Sequence, residues 1–405
     1  MSSAAPIVLV GAGLAAWSTV RELRKLQAEV PVVLITADSG DFYAKPSLSN
    51  AFAQKRTPEQ LVSTSAAKMA ETLNVQLMAH SRVTAVDPQA RSVQVAQGEA
   101  VHTVAYSALV IATGAQPITV PLQGSAGASA MSVNSLDDFS KLFLALGGHG
   151  ISAGSSENNS KTVLIMGAGL IGCEFANDLA VGGHRVHVVD PGVRPLAALV
   201  PESLGLALQA TLAELGVRWH MGTTVQALNN SEAPGPCLTA TLANGETVQA
   251  DLVLSAVGLR ADTRLAQAAG LVCERGIVVD AHLQTSAPAI YALGDCAQYA
   301  SAGGRTLPYV MPIMQAAKAL ASTLAGTPTP VVFPLMPVAI KTPVLPLVVQ
   351  PPPPEANGQW VRDDAQTAMT GEVWRFVNAV GAQCGFALSG KATARRLELI
   401  KTTGV

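Results

Sequence analysis

The sequence predicts an α/β chain with two Rossmann-like domains, and two glycine-rich turns carry that prediction. The first turn, residues 11–16, follows the apolar run 7–10 and opens a helical pattern. The second turn, residues 167–172, follows the apolar run 162–166 and also opens a helix. A strand, a tight turn and a helix in this order are typical of a binding site for the pyrophosphate of a dinucleotide. Two such turns indicate an internal duplication with one loop for each of two dinucleotides.

The first loop is followed by a carboxylate at a suitable spacing. Its candidate pyrophosphate-binding residues are Gly11, Ala12, Gly13 and Leu14. The next strand pattern, 32–36, leads to Asp38, at about the distance along the chain where an acidic residue meets the adenosine ribose. We therefore expect a dinucleotide in the first domain.

The second loop has the complete G-x-G-x-x-G pattern and points to a particular nucleotide. Its candidate residues are Gly167, Gly169, Leu170, Ile171 and Gly172. The strand pattern 185–189 ends in Asp190, a carboxylate suited to accept the ribose 2′-hydroxyl of NADH and to repel a 2′-phosphate. Arg194 lies close by in the sequence, and a cation there would reverse that preference. The sequence favours NADH over NADPH.

Composition excludes several functional classes. The chain has 405 residues, enough for more than one domain, and its formal net charge of -2 with 13% charged residues argues against nucleic-acid binding. The mean hydropathy is +0.33, but the long uncharged stretches 100–136 and 319–340 are interrupted by glycine or proline. No basic segment precedes the first apolar run. We expect a cytoplasmic protein with no membrane span.

The cysteines do not form a recognisable site. The five cysteines are odd in number and widely spaced, and they include no Cys-x-x-Cys pair. We therefore expect neither a disulfide framework nor a metal site.

Two bound dinucleotides suggest a redox reaction. The simplest chemistry that needs both is hydride transfer from a nicotinamide to a flavin, which then releases electrons singly. Thr113-Gly114 and Gly258 end buried strand patterns where backbone can pass close to a ligand. Asp295, after Gly294, either accepts a hydrogen bond from the sugar-alcohol chain of a flavin or caps a following helix.

The intervening segments give fewer signals. Lys45 lies in the polar segment 41–50, where a lysine is either functional or simply solvated. The pattern over 58–73 predicts one amphipathic helix. A Gly/Ser/Asn-rich stretch at 147–160 predicts a boundary loop.

Several further motifs connect the chain to a known family. They are Ala112-Thr113-Gly114, Ser255-Ala256-Val257-Gly258 and Tyr291-Ala292-Leu293-Gly294-Asp295-Cys296-Ala297. With the two glycine loops, they resemble the FAD-dependent pyridine nucleotide-disulfide oxidoreductase superfamily along most of the chain. Other stretches resemble its rubredoxin reductases: Lys45-Pro46-Ser47-Leu48-Ser49, residues 167–178, residues 307–312, and Lys341-Thr342-Pro343 with the proline run 351–354.

The resemblance implies two cofactor sites. It places FAD at Gly11, Ala12, Gly13, Leu14, Thr36, Ala37, Asp38, Lys45, the backbone of Val83, Thr113, Gly114, Asp295, Val310 and Lys318. It places NADH at Gly167, Gly169, Leu170, Ile171, Gly172, Glu174, Asp190, Val257 and Gly258. Lys45 and Glu174 are then expected to tune the flavin and nicotinamide environment, with no acid or base assigned.

The resemblance also implies a division into four parts. Residues 1–120 and 250–330 would form the FAD-binding domain, and residues 121–249 the NADH-binding domain. Residues 331–405 would form a small α+β C-terminal domain of the rubredoxin reductase type.

The departures from the superfamily indicate the electron acceptor. Its disulfide reductases and NADH peroxidases use a cysteine after the second strand, whereas this chain reads Leu48-Ser49-Asn50 and has no cysteine before Cys173. The resemblance therefore implies transfer of electrons from NADH through flavin directly to rubredoxin or a similar small acidic carrier. Another acceptor (flavorubredoxin, ferredoxin or quinone) and a flavin-bearing regulatory protein remain alternatives.

A basic segment near the end of the chain is the candidate carrier contact. It contains Lys391, Arg395, Arg396 and Lys401, with Glu398 the acid among them. Such a segment either steers an acidic partner or forms an ordinary solvated helix face.

Overall fold

The chain forms two compact units, each assembled from separated stretches. The computed structural model describes residues 5–148, 160–231, 236–363 and 371–404. One unit contains Met1–Ala44, Val62–Gln116 and Leu259–Pro334. The other contains Lys45–Leu61, Pro117–Gly258 and Leu335–Val405. Most of the predicted boundary loop, 149–159, lies outside the described residues.

The described residues form both helices and strands, and several strands follow one another directly along the chain, as those within residues 76–117 and 218–261 do. The α-helices are α1 (Leu14–Leu26), α2 (Pro58–Leu61), α3 (Ala66–Thr72), α4 (Leu136–Ala145), α5 (Leu170–Val181), α6 (Glu202–Glu214), α7 (Arg264–Ala268), α8 (Val310–Leu324) and α9 (Arg396–Thr402). Short 3-10 helices span Lys45–Asn50, Gly127–Ser129, Ala300–Ala302 and Gly390–Arg395. Within the described ranges, no helix combines the length and the apolar character needed to cross a bilayer.

The strands are numbered through the whole chain. The first ten are β1 (Ile7–Val10), β2 (Val32–Ile35), β3 (Phe42–Tyr43), β4 (Val62–Thr64), β5 (Gln76–Met78), β6 (Arg82–Asp87), β7 (Ser92–Gln97), β8 (Ala100–Ala105), β9 (Ala108–Ile111) and β10 (Ala115–Pro117). The next eight are β11 (Thr162–Met166), β12 (Arg185–Asp190), β13 (Arg218–Met221), β14 (Val225–Asn230), β15 (Leu238–Leu242), β16 (Thr247–Ala250), β17 (Leu252–Ser255) and β18 (Leu259–Ala261). The last eight are β19 (Ile277–Val279), β20 (Ile290–Ala292), β21 (Ala297–Tyr299), β22 (Val338–Ile340), β23 (Leu347–Gln350), β24 (Gly358–Arg362), β25 (Val373–Asn378) and β26 (Gln383–Ser389).

A parallel sheet forms the centre of the first unit. Its strand order is β20-β9-β1-β2-β5. Every residue of β1 and β2 is buried, as expected for strands covered on both faces of a parallel sheet. An antiparallel meander, β6-β7-β8, belongs to the same unit. This arrangement brings the carboxyl ends of β1, β2 and β9 to one edge, where ligands of α/β sheets bind.

The second unit repeats the parallel design and adds antiparallel sheets. Its parallel sheet has the order β13-β12-β11-β17, and all five residues of β11 are buried. The meander β14-β15-β16 follows β13 along the chain. The C-terminal stretch forms a five-stranded antiparallel sheet, β22-β23-β26-β25-β24, followed by α9. The predicted α/β class with two Rossmann-like parts and a small α+β C-terminal part is confirmed. The residue limits of the four predicted segments, which make up three domains, stay a prediction.

The single amphipathic helix predicted over 58–73 is wrong. The segment forms α2, then the short strand β4 and then α3. β4 pairs antiparallel with β3, a partner that local periodicity does not reveal. Ser65 then begins a new helix, because its side chain accepts the backbone N–H of Lys68 at 3.3 Å. Strand pairing and a helix cap override the helical pattern here.

Candidate functional site

The first glycine loop fits tightly against the neighbouring strand. Gly11 has a φ of +103°, and its N–H donates to the carbonyl of Ile35 at 2.8 Å. A Cβ on Gly11 would lie 2.4 Å from the carbonyl oxygen of Ala112, after β9. A Cβ on Gly13 would meet no atom within 4 Å. The loop thus needs a glycine at position 11 for its own fold, and it leaves open space at position 13.

The start of α1 is suited to an anion. Gly13 is the N-terminal cap residue, no side chain caps the helix, and its first turn has no acidic residue. The free N–H groups and the positive end of the helix dipole therefore stay available to a phosphate. Ala12 is buried and Leu14 is half-buried.

The end of β2 presents a carboxylate at the same edge of the sheet. Asp38 is exposed, and its Oδ1 accepts hydrogen bonds from Thr36 Oγ1 at 2.5 Å and from the Gly40 N–H at 3.0 Å. The start of β6 lies alongside, because Ser81 N–H donates to the Thr36 carbonyl at 2.8 Å. Val83 is two residues further along. The structure therefore brings Val83 into the neighbourhood of the segment 36–38.

Thr113 and Gly114 lie where the chain leaves β9. Thr113 Oγ1 donates to the carbonyl of Asp262 at 2.9 Å, and the Gly114 carbonyl accepts the Asp262 N–H at 2.9 Å. Gly114 has a φ of +72°. These two bonds fix the backbone at the carboxyl edge of the first sheet.

Asp295 does not cap a helix, so that alternative is wrong. It lies in a turn between β20 and β21, closed by a hydrogen bond of 3.1 Å from the Ala297 N–H to the Gly294 carbonyl. The neighbouring backbone approaches α1, because a Cβ on Gly294 would lie 3.1 Å from the Cβ of Ala15. A role for Asp295 toward a ligand stays a prediction.

Helix α8 supplies the remaining predicted residues of the first unit. Val310 is its first residue, 41% exposed, and Lys318 is an exposed residue further along. The helix packs on α1, where Ser18 Oγ lies 3.4 Å from Met314 Sδ. Its beginning, like that of α1, has no side-chain cap and no acidic residue.

The second glycine loop repeats the geometry of the first. Gly167 has a φ of +104°, and a Cβ there would lie 2.7 Å from the carbonyl oxygen of Ala256. Gly169 caps α5 and would accept a Cβ with no atom within 4 Å. The third glycine is needed for packing, since a Cβ on Gly172 would lie 1.9 Å from the Gly167 carbonyl oxygen. Leu170 is half-buried, and Ile171 is 40% exposed beside this opening.

Asp190 joins the second loop to the segment after β12. Its Oδ2 accepts the Ala168 N–H at 2.7 Å, and its Oδ1 accepts the Gly192 N–H at 2.6 Å. Each carboxylate oxygen has a second lone pair. Asp190 can therefore hold the loop and still accept a hydrogen bond from a ligand hydroxyl.

Arg194 is directed into its own loop. Its Nη2 donates to the Ala197 carbonyl at 3.3 Å, and its Nη1 is buried with no hydrogen-bond partner in the described structure. A Cβ on Gly205, in α6, would lie 2.8 Å from this Nη1. The cation is thus packed against α6.

Val257 and Gly258 follow β17 at the carboxyl edge of the second sheet. Gly258 has a φ of +117°, and Val257 is 36% exposed. The preceding Ala256 N–H donates to the Met166 carbonyl at 2.8 Å, which holds this turn beside the glycine loop.

Glu174 is a buried carboxylate in the second turn of α5. The residue is 1% exposed. Its Oε2 accepts Ser49 Oγ at 2.6 Å and the ammonium of Lys341, and its Oε1 accepts the backbone N–H of Lys341 at 2.9 Å. Lys45 donates to Asn134 Oδ1 at 3.0 Å. The pairing of Lys45 with Glu174 in tuning a flavin stays a prediction.

A second buried carboxylate follows one turn later. Asp178 accepts the N–H groups of Ala51 and Phe52 on Oδ2, at 3.0 and 3.1 Å, and that of Ala53 on Oδ1, at 2.7 Å. Burial raises the pKa of Asp178 to about 6, against the opposing effect of these hydrogen bonds.

Two of the five thiols are fully buried and poorly placed for chemistry. All five cysteines are free. Cys173 and Cys296 are fully buried, and burial raises the pKa of Cys173 well above its usual range and that of Cys296 to about 11. A buried thiol that stays protonated is a poor nucleophile.

The basic segment presents cations and an apolar side chain to solvent. Lys391, Arg396 and Lys401 are exposed, and Leu397 between them is 65% exposed. Arg395 differs, because its guanidinium forms a two-point ion pair with Glu398, at 2.9 and 2.6 Å.

Sequence reasoning missed the partners of the two buried carboxylates. Lys341 lies 167 positions after Glu174, and the backbone donors to Asp178 lie more than 120 positions before it. No periodicity joins such distant residues. The one available signal was the sequence Lys341-Thr342-Pro343, which was noted only for its resemblance to the rubredoxin reductases.

Two family patterns together account for nearly the whole chain. Residues 5–322 match the family described as pyridine nucleotide-disulphide oxidoreductase. Residues 330–403 match the rubredoxin binding C-terminal domain.

Individual proteins of known name are similar over almost their full length. The chain is 42% identical to the rubredoxin-NAD(+) reductase of Alcanivorax borkumensis, with 98% of each chain covered. It is 39% identical to the nitric oxide reductase FlRd-NAD(+) reductase of Aeromonas salmonicida, with 98% of this chain and 95% of that one covered. Among solved structures, the ferredoxin reductase from Rhodopseudomonas palustris superposes with a TM-score of 0.85 at 25% identity, covering 98% of this chain and 95% of that one.

Proposed function

Because the chain belongs to the pyridine nucleotide-disulphide oxidoreductase family, we propose that it transfers electrons from NADH through FAD to rubredoxin. The observation that carries this proposal is the rubredoxin binding C-terminal domain at 330–403, joined to two dinucleotide loops in one chain. The similarity to the Alcanivorax rubredoxin-NAD(+) reductase over 98% of both chains supports it.

The first unit fits FAD. The uncapped start of α1 and the open space at Gly13 form a cradle for a pyrophosphate, since a Cβ at Gly13 would occupy that space. We assign the adenosine ribose to the carboxylate of Asp38, and the rest of the cofactor to Thr113, Gly114, Asp295, Val83 and the helix from Val310 to Lys318. FAD, when bound, accepts two electrons from a nicotinamide and releases them one at a time.

The second unit fits NADH. Gly167 and Gly172 allow the loop to fold, the open space at Gly169 lets a pyrophosphate approach the backbone, and Asp190 offers acceptors for the ribose hydroxyls. A 2′-phosphate would meet the negative charge of Asp190, while Arg194 is held by Ala197 and packed against α6. These contacts support NADH over NADPH.

The positions and burial of the cysteines support direct transfer of electrons from the flavin to a protein carrier. Ser49 and Asn50 occupy the segment where thiol-dependent relatives have a cysteine, and the buried Cys173 and Cys296 remain protonated. The exposed cations Lys391, Arg396 and Lys401 lie within the rubredoxin-binding stretch and suit an acidic carrier. We place the reaction in the cytoplasm, where five free cysteines are kept reduced.

One second acceptor is favoured by a specific observation. The Aeromonas relative at 39% identity is named as a nitric oxide reductase FlRd-NAD(+) reductase. We infer that the same C-terminal stretch would serve a flavorubredoxin as acceptor. Rubredoxin stays the first choice because the C-terminal pattern specifies rubredoxin binding.

Stopped-flow absorbance tests the proposal. The purified protein is mixed anaerobically with NADH and then with rubredoxin, flavorubredoxin, ferredoxin or a quinone. Rapid bleaching of the flavin by NADH and rapid reoxidation by rubredoxin are expected. Reoxidation by another acceptor alone would replace rubredoxin in the proposal. Slow bleaching with a long-lived charge-transfer band would favour a regulatory flavoprotein, and a colourless protein would contradict the FAD assignment.

A further inference from the structure

One face of α5 has a row of buried polar side chains. Asn177 and Asp178 follow Glu174 by three and four residues, so they share its face of the helix, and each of the three is 1% exposed. Their hydrogen bonds hold two chain segments of the same unit, one at 49–53 and one at 341–344. Most surface helices bury an apolar face instead, so this row is unusual.

Among the residues that bind this row of side chains, Lys341 makes the most hydrogen bonds to it. Its backbone N–H and its ammonium bind the two different oxygens of Glu174, which fixes the plane of the carboxylate. The same ammonium donates to Ser49 Oγ at 2.8 Å and to the Pro46 carbonyl at 2.7 Å. The side chain of Lys341 is 28% exposed, against 1% for Glu174. The ammonium of Lys341 forms an ion pair with the buried carboxylate of Glu174 and so supplies its counter-charge.

The position of this ion pair connects it with nucleotide binding. Glu174 follows the last glycine of the second loop by two residues, on the helix whose uncapped start would receive the pyrophosphate. A buried ion pair stabilises a fold little better than apolar side chains of the same volume, so stability alone does not account for it. Lys341 itself belongs to the rubredoxin binding stretch 330–403.

We propose that Lys341 is a positioning residue for nicotinamide nucleotide binding, acting by pairing with the carboxylate of Glu174 and fixing its orientation beside the second glycine loop. This inference rests on the proposed function and adds to it a residue from the carrier-binding stretch. It implies that nucleotide affinity depends on a side chain far from the glycine loop in sequence.

Removal of the lysine charge is expected to leave the fold in place. Asp178 still binds the N–H groups of Ala51, Phe52 and Ala53, and Asn177 Oδ1 still accepts the Val344 N–H at 3.4 Å. Both segments therefore keep hydrogen bonds to α5 without Lys341.

The test compares binding of tetrahydro-NAD, a non-reducing analogue of NADH, to the flavin-loaded full chain. The variants are K341M, K341Q, K341R, E174Q and the double variant K341M/E174Q, with K141M, at an exposed lysine outside the proposed sites, as control. Residues in direct contact couple by factors of about 2 to 150, and we expect K341M to weaken binding about tenfold. K341R should retain most of the affinity and K141M all of it. The double variant should bind no more weakly than the weaker single variant.

The outcomes separate this inference from the proposed function. Wild-type affinity in K341M, or additive losses in the double variant, would overturn the inference alone. A lower melting temperature with unchanged affinity would assign Lys341 a purely structural role and also overturn it. If K341M does not fold, K341Q keeps a donor without the charge, and its affinity decides the question in the same way. A wild-type protein that does not bind the analogue would overturn the proposed function as well.

Discussion

Gly11 and Gly167 adopt the same left-handed backbone, with φ values of +103° and +104°. At both positions a Cβ would lie within 2.7 Å of a carbonyl oxygen at the end of the neighbouring parallel strand. For Gly11 this oxygen belongs to Ala112, and for Gly167 it belongs to Ala256. The second glycine of each loop, Gly13 or Gly169, has open space instead. In each loop, therefore, the first glycine is needed by the fold and the second is needed by the ligand.

Gly11→Ala and Gly13→Ala are expected to fail in different ways. The first clashes with Ala112 and is strained at positive φ, so it should lower stability and lose FAD together. The second meets no protein atom, so the apoprotein should melt as wild type while FAD binds more than about tenfold weaker, equivalent to about 1.4 kcal/mol. Melting curves and FAD titration measure both. Normal FAD affinity in Gly13→Ala would place the pyrophosphate elsewhere.

Asp190→Asn should reduce the preference for NADH over NADPH. A charge-assisted hydrogen bond to the ribose is worth about 1.5–3 kcal/mol, so the ratio of kcat/KM values should fall about tenfold or more. Asp251→Asn is the matched control, because Asp251 Oδ2 accepts the Thr162 N–H at 2.7 Å at the opposite end of the same sheet. If both variants change the ratio equally, the effect comes from the fold and not from the ribose.

Lys45→Met should lower the reduction potential of the flavin and slow its reduction by NADH. A cation near the ring favours the reduced, anionic form, and its removal takes that stabilisation away. Redox titration against a dye and stopped-flow reduction measure the two effects. An unchanged potential would remove Lys45 from the cofactor site, leaving its hydrogen bond to Asn134 as a structural contact.

Neutralising Lys391, Arg396 and Lys401 together with glutamine should lower kcat/KM for rubredoxin about tenfold at low ionic strength. Reduction of the flavin by NADH should not change. The same substitutions at the exposed Lys25, Lys68 and Lys141 serve as the control. If wild-type turnover with rubredoxin is independent of salt, this segment is an ordinary solvated surface.

Asp178 should make stability depend on pH in an unusual direction. Burial raises its pKa from 3.8 to about 6, so the folded chain holds the proton more tightly than the unfolded chain. The stabilisation is fully present below about pH 4 and is lost as pH rises through about 6, a change of about 3 kcal/mol at this site. Denaturant midpoints of wild type and Asp178→Asn across this range should diverge with rising pH. Parallel curves would contradict the raised pKa.

The sequence predicts those features whose signal is continuous along the chain. Each glycine motif occupies six consecutive residues that leave a strand and enter a helix, and both strand-to-helix turns are formed as expected. The pattern over 58–73 misled because β4 pairs with β3, and pairing between strands leaves no local signature. The contact of Lys341 with Glu174 was missed for the same reason, since folding alone brings residues 167 positions apart together. Predictable features are local, and those the sequence conceals are long-range polar contacts.

The segments of the two units alternate along the chain, and this order affects synthesis of the protein on the ribosome. Strand β20 pairs with β9 at the edge of the first sheet but is made roughly 180 residues later, a delay of about 10–35 s at typical bacterial rates. The second unit is completed later still, by β26 and α9. Until β20 has been synthesised, the apolar strand β9 has an unpaired edge, and such an edge promotes aggregation. Premature termination before β20 should therefore yield insoluble fragments, because β9 then keeps an unpaired edge.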